Sequence, residues 1–578
     1  MTAFASLALG VVLAANAVSI APERSAIVAT RADHRAAEEL QLHLELISGV
    51  RVPIVGRAEA GTYAFRFDGG RVGDSEEACA WEVGPEGTVF RGNAYFAAVD
   101  FLENALDVRW PEGACVSCRT ANPIVIGRTS GAWNPQIRIR TVRGEAADVS
   151  NAVFRVRMRC GSHDSPVYGH AFTKYWTRFG REHPEYFAMR TDGLRGPVTA
   201  TPEQLKGDVA VYAATGKNRV AMCCTSTGLV EQVVADWRAD GMGEYINICE
   251  NDLTGGKSCH CPDCRALDVV PAKVNPLCET HYADRYVFFG NRVLEAARRF
   301  RTDVKVCYYA YNATQDAPAR QRPDPATVVG LVPTVFTHRY IENYVSSWKK
   351  AGAERFFYRP NQHHYFNCPF LPIGSEEHFY EILQHLLSQG TIGFDYDAHA
   401  AVEGGFEWFE RYVILHAIQD PSKPFSHWEN HFCSAYGAAS EDVKAYFRYW
   451  REEVWNLRLE PDLDTIIEKG KWYNFGRGLV HNLKDYYREE DFAAAEKPLV
   501  AAESRDVPPS QRTLVNRLRI AHDHARLFYR AVANKTQADT QALVAYRRRF
   551  GYPLTTWSED YFGDITGIER LLGIKYKK

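Results

Sequence analysis

The chain has 578 residues, with 68 Lys plus Arg against 71 Asp plus Glu and a formal charge of −3. A surface this close to neutral offers no general attraction for nucleic acid or an anionic membrane. Hydrophobic residues at 46% and charged residues at 24% are ordinary for a globular protein and exclude a disordered or fibrous chain.

Residues 1–17 carry no charge and end in Ala15-Asn16-Ala17. This small-x-small pattern predicts a secretory signal and a secreted or periplasmic protein, although the usual basic residue near the start is missing. No later apolar run reaches the length of a membrane span. Residues 18–133 read as a small N-terminal α/β domain. Ala36, Leu40, Leu44 and Ile47 recur at helical spacing and stop at Gly49. Strands are expected at Val50–Val55, Tyr63–Phe67, Ala80–Val83, Thr88–Arg91 and Ile124–Ile126, with a second helix over Tyr95–Ala105.

From 134 to 455, strands alternate with helices, the pattern of a parallel sheet wrapped by helices. The expected strands are Ile137–Val142, Arg219–Cys224, Tyr245–Cys249, Val304–Tyr309, Val328–Val335, Arg355–Tyr358 and Thr391–Phe394. Amphipathic stretches such as Leu229–Arg238, Tyr282–Phe300 and Glu376–Ser388 separate them. This run predicts a (β/α)8 barrel, whose chemistry belongs at the carboxyl ends of its strands. No Gly-rich phosphate turn follows any of them, which argues against a doubly wound sheet. Residues 456–578 read as a helical C-terminal domain.

Two strand ends carry carboxylates in alternation. Tyr245-Ile246-Asn247-Ile248-Cys249 runs into Glu250-Asn251-Asp252, and Thr391-Ile392-Gly393-Phe394 runs into Asp395-Tyr396-Asp397. Residues two apart on a strand share a face, so Glu250 and Asp252 are expected to aim at one ligand. Glycoside hydrolysis needs two carboxyl groups, one protonated and one ionised. Asp252, Glu250 and Asp397 are therefore the candidate catalytic residues. The chain is also rich in aromatics, with 30 Tyr, 30 Phe and 12 Trp. Asn251, His170, Tyr309, His338, Tyr358, His363, Asp395 and Trp408 are candidate sugar contacts, through ring faces and polar tips near strand ends.

The 14 cysteines are too sparse for a disulfide-built scaffold. Cys259, Cys261 and Cys264, with Cys278 further on, have the thiol spacing of a structural zinc site. His260 and Cys249 are alternative fourth ligands, and disulfide pairing competes with zinc in an exported protein. No cofactor is expected for catalysis itself.

The run Gly92…Tyr95…Ala98…Phe101-Leu102-Glu103…Val108-Arg109-Trp110 resembles the α/β domain that precedes the barrel in α-glucuronidases and β-hexosaminidases. His170, His183-Pro184-Glu185-Tyr186-Phe187-Ala188 and Glu250-Asn251-Asp252 with the three close cysteines resemble the bacterial domain of unknown function 4838. So does the late run Trp408…Tyr412-Val413…Asp420-Pro421 with Tyr436-Gly437-Ala438-Ala439. Glycoside hydrolase family 163 belongs to that group. The resemblance covers about residues 30–455. It implies a secreted glycan-degrading enzyme with a barrel core and endo-β-N-acetylglucosaminidase action on N-glycans. Asn251, Asp252 and the three cysteines carry over by motif; Asp397 does not. Cys224-Thr225-Ser226-Thr227 departs from the Leu-Thr-Asn-Pro-like strand end of that family.

The expected function is thus hydrolysis of a β-linked oligo- or polysaccharide at a barrel mouth. A carbohydrate-binding protein without turnover is the alternative, as is an exo-acting hexosaminidase- or glucuronidase-like hydrolase. A zinc hydrolase is disfavoured, because thiol-rich sites lack the open position a catalytic metal needs.

Overall fold

The computed structural model describes residues 17–143, 149–162, 166, 168–197, 220–251, 258–269, 281–362, 366, 368, 370–397, 405–470 and 473–551. Residues 1–16 of the expected signal lie outside them. So do three of the singled-out side chains, Asp252, His363 and Cys278.

The N-terminal strands are β1 (Val18–Ile20), β2 (Ser25–Val28), β3 (Ile54–Val55), β4 (Tyr63–Gly69), β5 (Cys79–Gly84), β6 (Gly87–Gly92), β7 (Ile124–Ile126) and β8 (Ser130–Trp133). Six of them form a sheet in the order β3-β2-β4-β6-β5-β8, while β1 pairs with β7. Two helices pack on this sheet. His34–Ser48 ends where Gly49 takes the left-handed conformation (φ 75°) that a side chain would resist. Ala94–Ala105 starts at Asn93, whose side chain accepts the Phe96 N–H at 3.1 Å.

The second sheet contains β9 (Ile139–Val142), β10 (Gly161–Ser162), β11 (Tyr245–Asn247), β12 (Lys305–Ala310), β13 (Thr327–Leu331), β14 (Arg355–Tyr358) and β15 (Thr391–Tyr396). Its order is β10-β9-β15-β14-β13-β12-β11. All neighbours are parallel except β10, which runs antiparallel to β9. The last strand, β15, pairs with the first, β9, as barrel closure requires. Among the described residues, however, the sheet stays open between β9 and β11. Over the described residues the architecture is a curled half-barrel of parallel strands, the coarser form of the (β/α)8 barrel expected.

The gap has a local cause. Residues 220–224 were expected as a strand, yet they make one isolated bridge, Phe187↔Met222. Their backbone groups bond elsewhere: Ala188 N–H donates to the Ala221 carbonyl (2.8 Å) and Cys223 N–H to that of Tyr186 (2.9 Å). Once satisfied there, they have no need of a strand ladder.

Alternation along the strands divides the side chains into two cores. Val142, Ile246, Val306, Tyr308, Phe356, Tyr358, Phe394 and Tyr396 point outward and join the main core beneath the helices. Ile139, Cys307, Tyr309, Val328 and Phe357 point inward. Tyr168 fills the interior, stacking on Phe357 (centroids 4.3 Å apart) and on Tyr309 (5.6 Å). Gly330 makes room for it: a Cβ there would lie 2.4 Å from the Tyr168 ring.

Helix Thr227–Ala239 follows the 220–224 segment, and helices Ala283–Ala297, His338–Ala351, Glu376–Ser388 and Glu407–Gln419 follow β11, β13, β14 and β15. The C-terminal part is helical, with Glu489–Ser504, Pro509–Asn534 and Gln537–Phe550 packed in series. No helix among the described residues is long and apolar enough to cross a membrane.

Candidate functional site

Three short hydrogen bonds extend the sheet one residue past the carboxyl ends of its strands. Arg143 N–H donates to the Tyr396 carbonyl (2.7 Å), Arg359 N–H to that of Leu331 (2.9 Å) and Asp397 N–H to that of Pro360 (3.2 Å). Because inward positions alternate, the same backbone brings Arg143, Arg359, Asp395 and Asp397 to the inner rim.

The rim is a neutralised cluster of four charges around a phenol. The Arg143 Nε–H donates to both Asp395 oxygens at 3.0 and 2.9 Å. Asp395 itself is only 7% exposed. Arg359 lies 3.5 Å from Asp397 and donates to Asn361 at 2.5 Å. Its guanidinium also stands over the Tyr309 ring, 5.9 Å from the centroid. Burial raises the Tyr309 phenol above its ordinary value, against the charges of Arg359 and Arg143. Edge-on to Tyr309 is His170, whose Nδ1 lies 2.7 Å from the Glu250 carbonyl. Carboxylates fixed by arginine forks accept sugar hydroxyls in defined directions, and exposed aromatic faces suit pyranose C–H surfaces.

Glu250 does not join this cluster. Its carboxylate points outward, between the sheet and helix Ala283–Ala297, where it accepts the Tyr286 hydroxyl, the Met222 N–H (3.0 Å) and the Asn251 N–H (2.7 Å). Burial pushes it up to about 7, with those three donors opposing the rise. The expectation that it faces a ligand is corrected: strand parity sends Cys249, not Glu250, into the interior. Asn251 donates to the Val220 carbonyl at 2.8 Å, and its buried Oδ1 has no partner among the described residues.

Three expected sugar contacts are also corrected. Tyr358 is on the outward face of β14, edge-on to Phe394 and Tyr396. Its inward neighbour Arg359 takes the rim position instead. His338 opens the helix His338–Ala351 and packs against His378 (4.3 Å) and Glu381 (3.2 Å), outside the sheet. Trp408, 3% exposed, is a core residue packed edge-on against Phe154. Of the nominated residues, the rim therefore gathers Asp397, Asp395, Tyr309 and His170. Sequence reasoning missed Arg143 and Arg359. Their signal was an Arg directly after the strand, at the same parity as Ile139 and Phe357.

A cavity of about 490 Å³ lies beside the edge strand β11, lined by Phe172, Tyr175, Arg178, Asp236, Trp237 and Asn247 among others. Its Asp236 is already held by Arg178 (2.7 and 2.8 Å) and the Tyr175 hydroxyl (2.8 Å). Asp236 is the one carboxylate besides Asp240 in that lining, whereas the rim brings two acids from one strand together with two arginines.

Of the four side-chain groups among the described residues that could hold a metal, the one with four ligands is Cys223, Cys259, Cys261 and Cys264, whose sulfurs lie within 4.8 Å of one another. Cys249 lies in the barrel interior beside Cys307 instead.

A profile of the family described as "Domain of unknown function (DUF4838)" matches residues 128–448. No curated protein matches the sequence. Among solved structures, the chain is similar to a family GH115 4-O-methyl-α-glucuronidase with specificity for decorated arabinogalactans. The TM-score is 0.51 at 10% identity, covering 91% of this chain and 76% of that one. It is also similar to a GH138 enzyme targeting pectin rhamnogalacturonan II, with TM-score 0.43, 9% identity and coverage of 96% and 92%. For Streptomyces plicatus N-acetyl-β-hexosaminidase the TM-score is 0.38 at 13% identity, covering 74% and 92%. At such identities the first likeness is one of fold, and the other two are weaker still.

Proposed function

The chain belongs to the DUF4838 family, and on that premise we propose that it is a glycoside hydrolase cleaving a β-linked glycan at the half-barrel rim. The observation that carries this reading is the convergence of Arg143, Tyr309, Arg359, Asp395 and Asp397 at the carboxyl ends of parallel strands, where barrel enzymes place their chemistry. A fold shared with an α-glucuronidase adds support for carbohydrate as the substrate class.

In this reading Asp397 is one member of a carboxyl pair and Asp252, on the segment after Asn251, is the other. Asp395 is held in place by the Arg143 fork and orients the sugar. The finer substrate, an N-acetylglucosamine-containing N-glycan, rests on the Asn251-Asp252 motif. With such a sugar the substrate's own amide serves as nucleophile, one acid polarising it and the other protonating the leaving oxygen. Secretion, in the same reading, delivers the enzyme to extracellular glycans.

One observation favours a second reading, a carbohydrate-binding protein without turnover. Both described rim carboxylates face arginines, which suits hydroxyl binding and leaves the acid's role to Asp252. A panel of aryl β-glycosides, uronides and N-glycoproteins separates the two. Release of product by wild type, falling at least about 100-fold in Asp397→Asn and in Asp252→Asn, is the expected result. Sugar binding without release by wild type would establish the binder.

A further inference from the structure

We propose that Cys223, Cys259, Cys261 and Cys264 bind one structural zinc ion as a closed four-thiolate site. All four are buried, at 3, 2, 5 and 0% exposure. The Cys223 sulfur lies 3.8 Å from that of Cys261 and 3.8 Å from that of Cys264. These spacings decide the chemistry. A disulfide brings two sulfurs to about 2.05 Å. Four thiolates bonded at about 2.3 Å around a tetrahedral ion stand about 3.8 Å apart along each edge. Both Cys223 distances thus match the tetrahedral edge, and all four sulfurs, none of them in a disulfide, lie within 4.8 Å of one another as one set.

The surroundings are those of thiolates, which accept hydrogen bonds. Met189 N–H donates to the Cys259 sulfur (3.3 Å) and Cys264 N–H to that of Cys261 (3.5 Å). The Arg195 guanidinium donates to Cys223, and the Thr225 hydroxyl lies 3.3 Å from the Cys264 sulfur. Arg195 also offsets part of the excess negative charge that four thiolates leave around a divalent ion. With four protein ligands there is no open position, so the ion would hold the fold and take no part in catalysis. Thiolate ligands favour zinc over the hard cations calcium and magnesium.

The site has a definite mechanical task. Cys223 sits in the segment that fails to pair as a barrel strand, while the other three follow β11. His260 N–H donates to the Met189 carbonyl (2.7 Å), which brings the 186–195 turn into the same knot. Zinc would cross-link the 220–224 segment to the one after β11, behind Glu250 and Asn251, with the 186–195 turn hydrogen-bonded to the ligand loop.

Three measurements test this. Elemental analysis of the intact wild-type chain, expressed with zinc in the medium, is expected to find one zinc per chain. Cys223→Ser should fall below about one tenth of that, while Cys278→Ser retains it. If Cys223→Ser does not fold, alkylation of native wild type with iodoacetamide replaces it. The four cysteines should be protected, become labelled once a strong chelator removes the metal, and the Tm should drop by roughly 5–10 °C. Metal-free folded wild type, non-reducing peptide maps with disulfides among the four, or zinc lost from Cys278→Ser but kept by Cys223→Ser would each overturn the assignment.

Discussion

At the residue scale, the rim depends on one fork. Arg143 grips Asp395 through a planar guanidinium, and a Lys in its place would keep the charge but lose the two-point geometry. Arg143→Lys is therefore expected to lower kcat/KM by about tenfold or more with the urea midpoint nearly unchanged. Arg143→Ala should lose activity and also about 1–3 kcal/mol of stability, because a buried carboxylate is left without its partner. Steady-state kinetics and urea denaturation of both variants check this; full activity in Arg143→Lys would remove Asp395 from the site. The sequence showed where the carboxylates lie but not which way they point. Strand alternation separates residues into two sets, and both faces of this sheet are buried. Nothing in Glu250 or Tyr358 themselves says which set is inward.

At the element scale, helices Glu376–Ser388 and Glu407–Gln419 each bring a carboxyl into a cavity of about 40 Å³ under β14 and β15. Gln362 and Ser375 donate to Glu410, while Glu376 Oε2 has no partner among the described residues. Burial pushes Glu410 up to about 8, the charge of Glu376 adding to the rise, and pushes Glu376 up to about 7. Unfolded, both titrate near 4.5. Raised carboxyls stabilise the folded chain below pH 4.5, and that contribution is lost as pH climbs through 7 to 8. Wild-type unfolding free energy should therefore fall by at least about 2 kcal/mol between about pH 5 and 8, and Glu410→Gln should flatten the slope. Parallel slopes in urea titrations across that range would remove these two residues as its cause. The helices and most of the strands were legible because their periodicity is local. Residues 219–224 have a strand-like sequence too, yet the bonding partners of 220–223, at 186–188 and 250–251, are distant in the chain.

At the scale of the whole molecule, buried ions lock the N-terminal sheet to the half-barrel and its helical cover. Glu103 accepts from Arg159 (2.7 Å) and lies 2.8 Å from His416 Nε2, while Arg159 also reaches Asp100 (2.9 Å) and Gln419 (2.8 Å). Arg140 pairs with Glu77 (2.8 Å) and Arg157 with Glu39 (2.7 Å) across the same junction. Burial alone would raise Glu103, but Arg159 and His416 outweigh it and hold the carboxyl well below its usual range. Removing one member strands the others without water or partner. Glu103→Ala is expected to cost about 3–5 kcal/mol and to split urea unfolding into separate phases for the N-terminal and remaining parts. An unchanged, single transition would show that the junction relies on apolar packing instead.

The amino-acid order alone determined the α/β alternation, the strand ends that carry Asp395 and Asp397, the close trio of cysteines and the family, since each is written within a few neighbouring residues. Only the folded chain decided which carboxylates meet, that Arg143 and Arg359 hold them, that Cys223 completes the trio, and that among the described residues the sheet stays open between β9 and β11. Those outcomes depend on contacts between segments tens to hundreds of positions apart, where burial and hydrogen-bond satisfaction override local preference.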